Sequence, residues 1–251
     1  MTDKNADNVT QKAKIVFTVI TIFPAMVEHV MNYGVIGKAI EKGIIDLKTI
    51  NPRDFSQDKH HRIDDRPFGG GAGMVMMYDP LAATVDYLKQ QDKELSLSFL
   101  SPQGEKLEQN MVNKMAKQKH IVLLCGRYEG IDQRFLDKYV DNEISIGDFV
   151  ISGGELAAAT IIDAVARQIP KVLGDEESAK TDSFMQNSLA YPQYTRSVEL
   201  KTMGVPEVLL SGNHALIAQW RAKQALKITQ QKRPDLIEKK GRNTQNGRTS
   251  D

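Results

Sequence analysis

Up to Pro170 the chain alternates short apolar runs with stretches whose apolar residues recur at helical spacing. Ile15 to Phe23 is an apolar run rich in β-branched residues that stops at Pro24, which predicts a buried strand. Met26 to Lys42 then reads as helix, interrupted near Gly34, and Leu47 to Ile50 as a short strand. Ser56 to Gly73 follows neither period and ends in glycines, so it is a long loop. Asp79 followed by Pro80 opens a helix: the carboxylate accepts from free first-turn amides, and proline has no amide to leave unpaired. Beyond it come a strand at Leu95 to Leu100, a helix at Glu105 to Lys117 and strands at Ile121 to Leu124 and Val140 to Ile146. A helix at Glu155 to Arg167 is entered through Gly153-Gly154. This alternation predicts an α/β domain around a largely parallel sheet.

The pattern changes at Pro170. Gly174 to Gln186 is acidic, rich in small residues and poor in anything to pack, which makes it a flexible linker. No convincing strand follows. Pro206 starts a short helix, Gly212-Asn213 breaks and recaps it, and Ala215 to Gln230 is helical around Leu216 and Trp220. The start of the chain, Met1 to Lys14, is polar without an apolar centre, so it reads as a disordered extension and not as a signal peptide. With 251 residues, 41% of them hydrophobic, there is material for one large domain and a smaller helical one.

Net charge is only +1, but it is unevenly placed. From Arg196 onward there are 11 Lys and Arg against 5 Asp and Glu, and before it 22 against 27. An acidic body with a basic end suits either contact with a polyanion or a solvated charged tail. Cys125 is the single cysteine, which excludes internal disulfides and thiolate-rich zinc sites and fits a reducing cytoplasm. No apolar stretch approaches the ~18 residues of a membrane span.

Several phosphate and nucleophile motifs are absent: G-x-G-x-x-G after a strand, G-x-x-x-x-G-K-[ST], and G-x-S-x-G. What remains is three glycine-marked turns, each just after a strand: Leu100 to Gly104, Cys125 to Gly130, and Ile146 to Gly154. Ligands of open α/β sheets sit beyond the carboxyl ends of the strands, and glycine lets backbone approach them closely. Asp58-Lys59-His60-His61 with Asp64 and Asp65 has metal-ligand chemistry but lies in an irregular loop without a helical His pair, so no metal site is assigned there. Cys125 ends an apolar strand and reads as a small core residue, and Trp220 as a packing anchor.

Together these stretches resemble the bacterial tRNA (guanine37-N1)-methyltransferases, a branch of the SPOUT superfamily. The match is carried by Ile20 to Pro24, Tyr33 to Ala39, Asp64 to Met74, Gly126 to Gly130 and Ile146 to Glu155. It continues in Asp182 to Phe184, Tyr194 to Arg196 and Leu209 to His214, and spans about Ile15 to Leu236. The resemblance implies a deep trefoil knot formed by the three turns, with S-adenosylmethionine held by Leu100, Ser101, Pro102, Gly126, Tyr128, Glu129, Ile146, Gly147, Asp148, Phe149, Val150, Ile151, Gly153 and Gly154. It implies that Glu129 meets the target base, Asp182 is the general base and Arg167 its guanidinium partner. On the RNA side it points to Arg66, Arg196 and His214. By residue type alone, Asp182 is a helix N-cap and Arg167 a cation at a helix C-terminus.

The organisation expected is therefore an extension over 1–13, a knotted donor-binding domain over 14–173, a linker over 174–186 and a helical tRNA-binding domain with a basic tail over 187–251. The resemblance further implies a homodimer with a site built from two chains. Magnesium is a candidate assistant to the base, although no ligand cluster in the sequence demands it. Two departures from the family fall on the substrate side: Ser197 follows Arg196 where the family often has Pro, and Tyr191-Pro192-Gln193 replaces the common Cys-Pro-His.

Overall fold

A computed structural model describes residues 15–201 and 203–237. The expected extension over 1–13 and most of the basic tail lie outside the described residues. The chain divides into two compact units, Met1–Gly174 and Asp175–Asp251.

In chain order the strands are β1 (Ile15–Ile20), β2 (Ile45–Ile50), β3 (Asp64–Asp65), β4 (Val75–Met76), β5 (Leu97–Lys106), β6 (His120–Cys125) and β7 (Asn142–Ser145). The helices of the first unit are α1 (Pro24–Met31), α2 (Gly34–Glu41), α3 (Tyr78–Gln91), α4 (Gln109–Met115), α5 (Gln133–Tyr139) and α6 (Glu155–Ala166). Five strands form one sheet in the order β2-β1-β6-β5-β7, every neighbouring pair parallel. β3 and β4 form a separate two-stranded antiparallel ladder.

Side-chain alternation explains why the central strands are apolar throughout. Phe17, Val19, Ile121, Leu123 and Cys125 point into one core with α1, α2, α4 and α6. Ile20, Val122 and Leu124 point into the other, against α3 and α5. A strand covered on both faces has no position left for a polar residue to meet water.

Two features differ from the sequence expectation. The helix expected from Glu105 begins only at Gln109, because β5 runs on to Lys106. Its pairing with β7 slips on the way, so that Leu100 and Glu105 both stand opposite Ile144 and the residues between them bulge out. Gly104 lets the chain return: a Cβ there would lie 2.4 Å from the Ile144 nitrogen. The second difference is α5, which carries Phe135 and Tyr139 into the core but is too short for its period to stand out in the sequence.

The second unit contains α7 (Glu176–Thr181), α8 (Glu207–Leu210) and α9 (His214–Lys232). α7 thus occupies part of the segment expected to be a linker. Asp182 directly follows α7, so it does not serve as a helix N-cap. Asn213 does: its side chain accepts from the Leu216 amide at 3.2 Å. The chain before α8 lies on α9, with the Leu189 amide donating to Thr229 Oγ1 at 2.9 Å and Tyr194 beside Trp220. Among the described residues no helix is long and apolar enough to cross a membrane.

Leu123 is fully buried in the central strand. Leu123→Ala should lower unfolding free energy by about 2–5 kcal/mol, read as a lower urea midpoint with an unchanged slope.

Candidate active site

Strand register builds the site. Leu100 on β5 stands opposite both Cys125, the last residue of β6, and Ile144 near the end of β7. Regular pairing of the three strands therefore breaks off at one level, where β5 bulges before running on to Lys106, and the turns there converge. Between the turns lies a cleft of about 460 Å³ at the carboxyl edge of the sheet. All the residues expected to hold the donor line it except Asp148: Leu100, Ser101, Pro102, Gly126, Tyr128, Glu129, Ile146, Gly147, Phe149, Val150, Ile151, Gly153 and Gly154. Asp148 points away and pairs with Lys106 at 2.9 Å, both exposed.

Close backbone contacts hold the turns together. The Gly154 amide donates to the Gly126 carbonyl at 3.0 Å. A Cβ on Gly154 would come within 2.6 Å of Cys125 Cα, so no larger residue lets α6 start where it does. Gly147 has φ +151, and the Ser145 hydroxyl accepts from its amide while donating to its carbonyl. Tyr128 has φ +60, a left-handed conformation that costs an L-residue free energy and is seen where surroundings enforce it. Its neighbour Glu129 donates its amide to the Met74 carbonyl at 2.9 Å, and Met76 donates to Gly130. The Tyr128 hydroxyl accepts from Arg53 at 3.2 Å. Burial, with the charge of Asp64 behind it, pushes the Tyr128 phenol above its ordinary pKa.

Sequence reasoning assigned no role to a charged pair, Arg127 and Glu155, of which Arg127 lines the cleft. Glu155, the first residue of α6, is 1% exposed. One of its oxygens accepts from the Thr21 hydroxyl at 2.7 Å, and the other from Arg127 Nε at 2.9 Å and Arg127 Nη2 at 2.8 Å. Arg127 also donates through Nη1 to the Ser152 carbonyl and lies over the Phe23 ring at 4.7 Å. Phe99, Gln103, Ile131 and Gln133 line the cleft as well and were not singled out. The first two belong to β5, whose full length the sequence pattern hid; the others lie around the start of α5.

The remaining candidates lie elsewhere. Arg66 is exposed in the loop that follows β3 and does not line the cleft. Arg167 is the C-cap of α6, at the far end from Gly154. Asp182, Arg196 and His214 belong to the second unit. Asp58 is engaged by Arg62 through Nε at 3.2 Å and Nη2 at 3.1 Å, which holds its carboxyl far below the usual range. Among the described residues no group of three His, Cys, Asp or Glu converges as for a metal ion.

Burial, reinforced by the Glu155 charge, pushes the Cys125 thiol well above its ordinary pKa. A protonated, inaccessible thiol is unreactive. An aromatic disulfide reagent at mildly alkaline pH should therefore give almost no colour with the native chain and one equivalent after denaturation; rapid native reaction would show the core around Cys125 to be open.

The family model described as tRNA (Guanine-1)-methyltransferase TrmD matches residues 15–239. A tRNA (guanine-N(1)-)-methyltransferase of Buchnera aphidicola is 51% identical over 227 residues, 90% of this chain and 96% of that protein. Its namesake from Neisseria meningitidis serogroup C is 51% identical over 222 residues, covering 88% of this chain and 89% of its own. One from Alcanivorax borkumensis is 49% identical over 232 residues, 91% of this chain and 88% of its own. A match running from β1 past the end of α9 takes in the sheet, the three turns and both units, and the chain belongs to the tRNA (guanine-1)-methyltransferase family.

Proposed function

We propose that this protein transfers a methyl group from S-adenosylmethionine to N1 of guanine 37, on the 3′ side of the tRNA anticodon, in the cytoplasm. The observation that carries the reading is the convergence of the three glycine turns on one cleft, in a chain whose family and relatives are named for guanine-N1 methylation of tRNA. The fit to the donor is good. The 460 Å³ cleft lies within the range of about 300–1,000 Å³ usual for small-molecule sites. Leu100, Ile146 and Ala157 supply apolar wall, and backbone at Gly126 and Gly154 can approach an adenosine edge. The donor's sulfonium makes its methyl electrophilic, so the transfer needs chiefly in-line positioning.

The chain's own task is the nucleophile. Guanine N1 carries a proton and attacks poorly until it leaves. Asp182, placed on N1–H, accepts that proton as the new bond forms. As the proton leaves, negative charge spreads to O6, where the Arg167 guanidinium stabilises it until the methyl–sulfur bond breaks and the donor departs as a neutral thioether. Glu129, on the cleft wall, meets the base edge, while Arg66, Arg196, His214 and the basic end of the chain contact the RNA. Magnesium remains a candidate assistant to the base, and no step here is assigned to it.

Arg167 supports a site shared between two chains of a homodimer. The twelve residues of α6 separate it from Gly154, and at about 1.5 Å per residue that places it roughly 20 Å along the helix from the cleft its own chain lines. A partner's cleft is the place where it can act. The SPOUT knot is supported by two close passages: Gly104 against the Glu143–Ile144 backbone, and Gly154 against Gly126.

Methylation of a tRNA transcript with the product base mapped tests the assignment directly. Asp182→Asn should retain donor binding and lose about 10²–10⁴-fold in single-turnover rate; near-normal methylation by this variant removes Asp182 from the role. Sharing is tested by mixing Asp182→Ala chains with Gly154→Trp chains, each inactive alone. Half of randomly reassorted dimers are mixed and each holds one intact site, so activity should recover towards roughly a quarter of wild type per chain. Proven subunit exchange without recovery would mean that each chain supplies its own base.

A further inference from the structure

We propose that Glu155 is a positioning residue for methyl transfer: through its buried ion pair with Arg127 it sets the spacing of the two turns that close the donor cleft. The inference rests on the reading of that cleft as the donor site.

Glu155 is 1% exposed and does not line the cleft, so it cannot act by touching the donor. It acts through what it holds. Arg127 belongs to the turn after β6, between Gly126 and Tyr128, and reaches across to the Ser152 carbonyl of the turn after β7 and to the Glu155 carboxylate at the start of α6. Thr21 ties the same carboxylate to the end of β1, and its hydroxyl accepts from the Phe23 amide at 2.9 Å. The Phe23 ring in turn lies against the guanidinium. Three segments that leave neighbouring parallel strands or enter α6 are thus fastened at one point. Gly153 permits the crossing: a Cβ there would lie 2.1 Å from Arg127 Nε.

Stability alone does not account for this arrangement. Desolvation offsets most of the attraction within a buried ion pair, and apolar residues of similar volume often serve stability as well or better. What the pair adds over an apolar contact is direction. A planar guanidinium with fixed donors sets both the distance and the orientation of the groups it joins. The turns it joins carry Gly126 and Tyr128 on one side and Ile151, Gly153 and Gly154 on the other, all of them lining the cleft. In-line transfer is sensitive to that spacing, since a displacement of about 1 Å can cost 10²-fold in rate.

The double variant Arg127→Met/Glu155→Met replaces the pair by apolar side chains and should keep its thermal midpoint within a few degrees. Its donor dissociation constant, measured by calorimetry with S-adenosylmethionine, should rise at least about tenfold, with kcat reduced and tRNA KM unchanged. Loss of fold integrity alone would reduce the active fraction and leave the donor constant of the remaining enzyme at its wild-type value. Arg127→Lys, which keeps the charge but loses the fork, should fall between wild type and the double variant. A folded double variant with native donor affinity and turnover overturns the proposal. If the double variant does not fold, Glu155→Gln decides, since Arg127 itself lines the cleft and Glu155 does not: native donor affinity and kcat overturn the proposal, and a weakened donor constant with unchanged tRNA KM supports it. A wild-type chain that does not bind the donor overturns the donor-site reading instead, so the two failures are told apart.

Discussion

The 3.0 Å hydrogen bond from the Gly154 amide to the Gly126 carbonyl joins the end of the central strand to the start of α6, and most of the site follows from it. Neither residue can carry a side chain there. A Cβ on Gly154 would strike Cys125, and one on Gly126 would come within 2.9 Å of the Phe99 ring. With the two backbones in contact, α6 must begin at the carboxyl edge of the sheet and run back along it, burying Ala158, Ile161, Ile162 and Val165 in the core it shares with β6, α1 and α4. The turn from β7 to α6 is then forced to arch over the cleft, which leaves Phe149 and Val150 exposed at its crest.

The sheet supplies the rigidity that this contact needs. Both faces of β1 and β6 are covered by helices, and the cores they form contain few groups that could rearrange cheaply. The common level at which regular pairing of β6, β5 and β7 breaks off turns that rigidity into a site, because loops anchored on three neighbouring strands inherit the strands' spacing of about 4.8 Å. The proposed donor binding would ask little of individual side chains and a great deal of backbone placement.

The proposed chemistry divides along the same line. The residues proposed to hold the donor belong to the first unit, on the turns that line the cleft. Asp182, the proposed proton acceptor, and Arg196 and His214, the proposed RNA contacts, belong to the second, which also carries the basic excess. A polyanion held largely by phosphate contacts suits a basic helical unit, since such contacts orient without demanding a particular base. Selectivity for the reacting guanine then falls to the few groups that can reach its edge.

The sequence by itself determined the class of fold, because period-two and period-3.6 apolar patterns record which faces are buried. It marked the three turns, because glycine stands where backbone must pass close or adopt positive φ, as at Gly147 and Gly154. It also determined that Cys125 is a core residue, since an apolar run leads straight into it. The length of β5 was not legible: Pro102 and Gly104 read as the end of a strand, whereas pairing with β7 extends it past a bulge to Lys106. Nor was the Arg127–Glu155 pair. Its partners lie 28 positions apart, and each taken alone looks like an ordinary surface charge beside a turn or in the first turn of a helix. Only the tertiary structure brings a carboxylate, a guanidinium and the Thr21 hydroxyl to one buried point, because that meeting depends on strand order and register, which no local pattern encodes.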